Sequence, residues 1–183
     1  AKAFKKEYGI KDNLILSVGL IIKRKGVLDF AELSSRIQAK FIWIGRYMKL
    51  LVESKEINTI MKRRQTNLLF LQKHVEDITA AYSACDIFLF PSFEENEGIV
   101  ILEAASTGRA IVVRDITVFR TYLQDGKNCM MAKSNTDFEK IINRLLADKK
   151  LRNKLGKEAR KFALTRSLEE VGLKLKQTYA SLL

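Results

Sequence analysis

One stretch limits the fold more than any other. An apolar run from Ile87 to Phe90 is stopped by Pro91, the one proline in the chain. Acidic and polar residues follow, then a helical segment closed by Gly108, then a second apolar run from Ala110 to Val113. This order reads as strand, loop, helix, strand. The same alternation fills the rest of the chain. Apolar strands are expected at Leu14 to Val18, Phe41 to Ile44, Leu68 to Leu71 and Cys129 to Ala132. Helices are expected from about Val27 to Ile37, Glu76 to Ala84, Val118 to Leu123, Lys150 to Leu164 and Leu168 to Leu182. A further helix carries Phe138, Ile141, Ile142, Leu145 and Leu146, capped by Asn135 or Thr136. Residues 47 to 64 read as one or two amphipathic pieces, and residues 1 to 12 as a fraying approach to the first strand. About six strands alternating with helices give a mostly parallel sheet, an α/β, Rossmann-like, doubly wound domain.

A helix starting at Glu97 or Gly98 points its unpaired N–H groups, and the positive end of its dipole, into the acidic loop. A phosphate fits there, on the amides of Gly98, Ile99 and Val100. Glu95 precedes the helix and Glu103 lies within it. At about 1.5 Å per residue they stand up to about 12 Å apart along the axis. That exceeds the about 5 to 10 Å of a glycosidase pair and suits the two ends of one elongated ligand. On spacing alone, Glu94, Glu95 and Glu97 fit equally well as first-turn acids, with Glu103 a solvated helix residue. After the first strand and Gly19, the loop carries Lys23, Arg24, Lys25 and Gly26. Three cations between a strand end and a helix start suit a diphosphate, and they also fit a solvated basic turn.

The charge is lopsided. Over its 183 residues the chain carries a formal net charge of +12. Residues 1 to 64 hold 15 basic against 6 acidic side chains, and residues 140 to 161 hold nine basic ones against Asp148 and Glu158. Such fields attract nucleotides, nucleic acid or an anionic membrane surface. No recognised nucleic-acid motif and no basic strand interleaved with aromatics is present, so nucleic acid is not the expected partner, although a basic nucleic-acid-binding domain is the alternative of a different class. No apolar run approaches a transmembrane length, and the charged start, Ala1 to Lys6, lacks a signal-peptide pattern. Cys85 and Cys129 read as buried thiols of a reducing cytoplasm. His74, the single histidine, cannot make a zinc site on its own, and no cofactor is expected.

The segment from Pro91 to Asp115 resembles the Glu-x7-Glu motif of family-4 retaining glycosyltransferases of the GT-B fold. Glu95 and Glu103 take its two acidic positions, with Leu-Glu-Ala at 102 to 104. The wording Glu-Glu-Asn-Glu-Gly-Ile-Val-Ile-Leu-Glu-Ala, followed by Val-Arg-Asp-Ile at 113 to 116, is similar to the bacterial enzymes that glucosylate diacylglycerol. The resemblance runs from about Asn13 to Leu183 and implies the donor-binding half of a GT-B enzyme. The N-terminal acceptor domain would then lie outside this single domain, residues 1–183, and the isolated half would be inactive.

The resemblance further implies that Glu95 faces the sugar of a nucleotide-sugar donor, most simply a UDP-sugar. Glu103 binds the ribose hydroxyls, and the backbone between them meets the diphosphate. Lys25-Gly26 matches a Lys-Gly whose cation clamps the diphosphate; Leu20 replaces the Arg that precedes it, leaving Arg24 or Lys23 to compensate. Asn96 and Glu97 stand where a Gly-Phe pair is commoner. The loop after the third strand, with Lys73, His74 and Val75, would brush the base, and His74 fits a role-free loop residue as well. The implied reaction is hexose transfer with retention, to diacylglycerol or a glycosylated lipid at the cytoplasmic membrane face; a capsule or wall polysaccharide is the alternative acceptor.

Overall fold

The structure is a computed structural model. It describes residues 1–48, 54–63, 65–72 and 75–182. Six strands form one sheet: β1 (Leu14–Val18), β2 (Lys40–Ile44), β3 (Leu68–Leu71), β4 (Ile87–Phe90), β5 (Ala110–Arg114) and β6 (Met130–Ala132). Their order is β3-β2-β1-β4-β5-β6, and every neighbouring pair is parallel. The chain winds outward from β1 to β3, then returns to lay β4 beside β1. The order therefore reverses between β1 and β4, where the loops leaving both strands open a crevice at the carboxyl edge.

Nine helices are described: α1 (Lys2–Glu7), α2 (Val27–Arg36), α3 (Lys55–Lys62), α4 (Ile78–Ala84), α5 (Ile99–Ser106), α6 (Thr117–Arg120), α7 (Asn135–Ala147), α8 (Lys149–Leu164) and α9 (Leu168–Ala180). Side chains alternate across a strand, so each strand feeds two cores. Leu14, Leu16, Phe88, Phe90, Ile111 and Val113 face one side with α1, α4 and α5. Ile15, Phe41, Trp43, Leu89 and Val112 face the other with α2, α3 and α7. Burial on both faces explains why the strands read as continuous apolar runs rather than alternating ones. Phe30 of α2 meets Phe41 and Trp43 edge-on, at 5.1 and 5.2 Å between ring centroids, and so locks α2 over β2.

The expected strands are all present within a residue or two, while two expectations about the helices need correction. Residues 1 to 12 do not fray: α1 forms and buries Phe4, which gives a basic segment an apolar anchor over α4. The helix over 135–147 is capped by Ser134, not by Asn135 or Thr136. Ser134 accepts from the Asp137 amide and Asp137 reaches back to the Ser134 amide, a reciprocal pair that outcompetes a cap one residue later. The amphipathic stretch 47 to 64 supplies one of the one or two pieces expected, Lys55–Lys62 with Ser54 as its cap; residues 49–53 and 64 lie outside the described residues. At the other end, α9 buries none of its residues. Among the described residues no helix is long and apolar enough to cross a membrane.

Candidate functional site

The crevice is built from two loops that hold each other. The loop after β1 tightens into a 3-10 turn at Lys23–Lys25, and Gly26 then takes a left-handed φ of 78°. A side chain at Gly26 would put its Cβ 2.2 Å from the Pro91 carbonyl oxygen, so only glycine lets the two loops touch. Across that contact the Phe93 amide donates to the Arg24 carbonyl at 2.9 Å. The Ser92 hydroxyl lies within hydrogen-bond reach of the carbonyls of Arg24 and Glu94, at 3.2 and 3.1 Å. Arg24 Nη1 donates to the Glu94 carbonyl at 2.8 Å.

The same contact brings Lys25 and Glu95 together, 70 residues apart in sequence. Lys25 Nζ donates to Glu95 Oε1 at 2.5 Å, and the side chains retain only 16% and 7% of their exposure. The ammonium also sits 5.4 Å from the centre of the Phe90 ring. A charge pair this sheltered is weakly screened, and losing either member leaves the other without its counter-charge. From below, Arg114 at the end of β5 fixes the crevice wall. Its Nε donates to the Pro91 carbonyl at 3.0 Å, its Nη2 pairs with Asp29 of α2, and its guanidinium lies 3.8 Å from the Phe93 ring centre.

Gly98 caps α5 with a left-handed φ of 80°. Among the described residues, the amides of Gly98, Ile99 and Val100 donate to no acceptor. With the helix dipole behind them, these three amides give the start of α5 a positive end beside Glu95. The carbonyl of Glu97 accepts from the Tyr122 hydroxyl, which ties this end to α6 and its following turn. One helical stretch further, Glu103 is exposed yet not loose. Buried Tyr82 of α4 donates to its Oε2 at 2.6 Å, leaving Oε1 for another partner. The Tyr82 ring itself is held edge-on against Phe88 at 5.6 Å.

An open apolar pocket of about 430 Å³ lies next to this crevice, lined by Val18, Gly19, Leu20, Ile44, Gly45 and Val75 among others. The Trp43 indole donates to the Gly19 carbonyl at 2.8 Å and holds that wall. The structure thus places Lys25 against Glu95, Arg24 against the Glu94 carbonyl and Gly26 against Pro91, and Gly19 and Val75 in one pocket. Asn96 is exposed with no side-chain partner among the described residues, and His74 lies outside them. Lys23 points away from the crevice, to Glu56 of α3 at 2.8 Å.

Tyr82, Arg114 and Asp29 escape a sequence reading as site residues. A tyrosine within a buried apolar stripe is a usable signal, because its hydroxyl needs a partner inside the fold. An arginine ending a buried strand is another, since buried cations are paired. The cysteines take no part: burial pushes both thiols up to about 12, where they stay protonated and inert.

Comparison with known proteins places this geometry. The family description "Glycosyl transferases group 1" matches residues 1–162. The processive diacylglycerol alpha-glucosyltransferase of Acholeplasma laidlawii is 32% identical over 182 residues, covering 97% of this chain and 54% of that protein. The alpha-galactosylglucosyldiacylglycerol synthase of Streptococcus pneumoniae is 32% identical over 124 residues, covering 64% of this chain and 33% of that protein. The crystal structure of Anabaena HepE with UDP matches with a TM-score of 0.89 at 19% identity, covering 98% of this chain and 52% of that one. The chain thus spans about half the length, 54% and 52%, of a relative and a structure that it matches nearly end to end. Sequence match and fold agree, and the chain belongs to the glycosyl transferases group 1 family.

Proposed function

We propose that this chain is the C-terminal, donor-binding domain of a retaining glycosyltransferase. The complete enzyme takes a hexose from a UDP-sugar, most simply UDP-glucose, and places it on diacylglycerol or a related glycolipid. The acceptor site belongs to an N-terminal domain outside this chain, and the reaction takes place at the cytoplasmic face of a membrane. The observation that carries the reading is the sheltered Lys25–Glu95 pair set beside the amides of Gly98, Ile99 and Val100, which donate to no acceptor among the described residues. The activities of the two diacylglycerol-directed relatives, and the UDP held by HepE, support the choice of donor and acceptor.

In this reading the diphosphate competes with Glu95 for Lys25. As the donor enters, the Lys25 ammonium turns to the phosphates, and the amides at the start of α5 take the remaining oxygens. Glu95, released from its partner, accepts from sugar hydroxyls and orients the ring. Glu103, with one oxygen held by Tyr82, offers the other to the ribose hydroxyls, and the pocket of Gly19 and Val75 receives the base. The bond from the anomeric carbon to the β-phosphate oxygen breaks as the acceptor hydroxyl attacks from the same face. The departing phosphate oxygen takes the acceptor's proton, so no covalent enzyme intermediate is needed. Lys25 and the amides are strongest toward the charge that grows on the leaving diphosphate, which makes them catalytic as well as binding groups.

Calorimetric titration of the chain with UDP, GDP and ADP tests this directly. Saturable binding of UDP in preference to the other two is the expected result. Binding of none of the three would overturn the assignment of the donor site to this chain.

A further inference from the structure

The solvent face of α8 carries charge that little else in the molecule answers. Its sequence, KKLRNKLGKEARKFAL, holds seven basic residues and one acid. Leu155, Gly156, Ala159 and Ala163 turn inward, and the helix packs on α5 and β5. That leaves Lys149, Lys150, Lys154, Lys157, Arg160 and Lys161 exposed. At 3.6 residues per turn these six fall within roughly 140° of arc and roughly 18 Å of axis. Glu158 pairs with Lys161 at 2.6 Å, and the other five cations make no ion pair among the described residues.

Such an arrangement costs stability. Lys150 and Lys154, and Lys157 and Lys161, stand four residues apart, where like charges repel, and Lys154 and Lys157 stand three apart. A face that keeps these cations together is complementary to an anionic surface. The face is not wholly polar: Leu164 falls in the same arc and is 59% exposed. Beyond it α9 continues with Leu168, Val171, Leu175 and Tyr179, all exposed, beside Lys174 and Lys176.

We infer that this face of α8 is a docking surface for an anionic lipid bilayer, with the lysines among the headgroups and Leu164 inserted beneath them. Cations alone would also fit a nucleic acid. A leucine within the cationic arc gains nothing from a phosphate backbone, and the arc presents no aromatic ring on which a base stacks. For the kind of partner the inference rests on the glycolipid reading above, yet it concerns another surface and is tested separately.

The test is co-sedimentation of the chain with vesicles of phosphatidylglycerol and phosphatidylcholine in equal parts, against vesicles of phosphatidylcholine alone. Binding to the anionic vesicles only, weakened by added salt, is expected. Replacing Lys149, Lys150, Lys154 and Lys157 together with Gln should lower partitioning several-hundredfold, about fivefold for each charge removed. Removing the same charge elsewhere, by Lys2→Gln, Lys6→Gln, Lys11→Gln and Lys62→Gln, should lower it by no more than about tenfold, through net charge alone. Melting curves of the two variants establish that both remain folded. Equal losses in the two variants would overturn the assignment to α8, as would no binding to anionic vesicles. Tighter binding to a short duplex DNA, lost in the α8 variant, would overturn it in favour of nucleic acid. Absence of UDP binding with vesicle binding intact would bring down the donor-site reading and leave this one standing.

Discussion

Two basic segments of the chain are alike in composition and opposite in surroundings. In Lys23-Arg24-Lys25 every side chain has a partner brought from far along the sequence: Glu56, the Glu94 carbonyl and Glu95. On α8 five of six exposed cations have none within ion-pair distance among the described residues. Net charge does not separate these cases, since both segments raise it. What separates them is whether the fold supplies the counter-charge. A cation matched inside a sheltered crevice is placed to change partners when a ligand of the same sign as its partner arrives. A cation left unmatched on an open face waits for a partner that is itself a surface.

The largest effect expected from this contrast is at Lys25. Lys25→Ala strands the Glu95 carboxylate at 7% exposure, and should lower unfolding free energy by about 2 to 4 kcal/mol in denaturant titrations. Replacing the four α8 lysines with Gln should leave stability equal or slightly higher, because repulsions are relieved. Lys25→Ala should also cost UDP roughly ten- to hundredfold in affinity while uridine is nearly unaffected. Pairing Lys25→Met with Glu95→Gln should restore most of the stability and none of the UDP affinity. If Lys25→Ala were as harmless as the α8 change, the matched and unmatched segments would be energetically alike and the contrast would fail.

Next in size is the neutral partner of a charge. Tyr82→Phe removes one hydrogen bond from Glu103 without opening a cavity, and Glu103 is exposed enough to find water instead. Stability should fall by only about 1 kcal/mol. UDP affinity should fall roughly three- to tenfold, and the affinity for 2′-deoxy-UDP by less, because the hydroxyl that Glu103 would bind is missing there. Equal losses for both ligands would make Tyr82 a packing residue only. Glu103→Ala sets the upper limit, about 1 to 3 kcal/mol of nucleotide binding, and unchanged affinity would remove Glu103 from the site.

How much of this was legible beforehand follows from the range of the interactions. The strands and their parallel order are local or topological facts, carried by apolar run length and by the alternation of strand and helix. The start of α5 at Gly98 was legible too, since Gly98 and the acidic loop adjoin in sequence. The pairing of Lys25 with Glu95 is a contact across 70 residues, and no periodicity encodes it. The same holds for Tyr82 with Glu103 and for Arg114 with Asp29 and Pro91. On α1, a basic stretch read as frayed because its single buried anchor, Phe4, is too sparse a pattern to register as a stripe. On α9 the opposite happened. Val171, Leu175 and Tyr179 line one stripe of the helix, a pattern as regular as that of a buried helix, yet all three are exposed in this chain.

A third behaviour lies between matched and unmatched charge, namely a charge that burial forbids. Cys85 and Cys129 are buried, and desolvation lifts both thiols from an ordinary value of 9.0 to about 12. For a raised acid the sign is fixed. Folding keeps the thiol neutral, so the contribution is complete below pH 9 and is lost as pH climbs toward 12, where the unfolded chain ionises first. Stability should therefore decline above pH 9 by about 1.4 kcal/mol per pH unit for each thiol. Cys85→Ala with Cys129→Ala should flatten that alkaline limb in melting curves recorded across it.

The smallest effect tests the edge of the contrast, where a cation is matched but not sheltered. Lys23 and Glu56 lie 2.8 Å apart with side chains 52% and 57% exposed. The Lys23 ammonium, with help from the Ser54 hydroxyl, holds the Glu56 carboxyl at about 2, below its ordinary 4.5. A lowered carboxylate contributes above 4.5 and loses that contribution as pH falls toward 2. Water and salt screen an exposed pair, so Lys23→Ala should leave the melting temperature at neutral pH essentially unchanged. A small difference from the unmodified chain should appear at low ionic strength and close as pH drops from 4.5 toward 2. A loss as large as that of Lys25→Ala would mean that proximity alone, and not shelter, decides what a matched charge is worth in this fold. The line between site and surface would then have to be drawn by geometry without regard to burial.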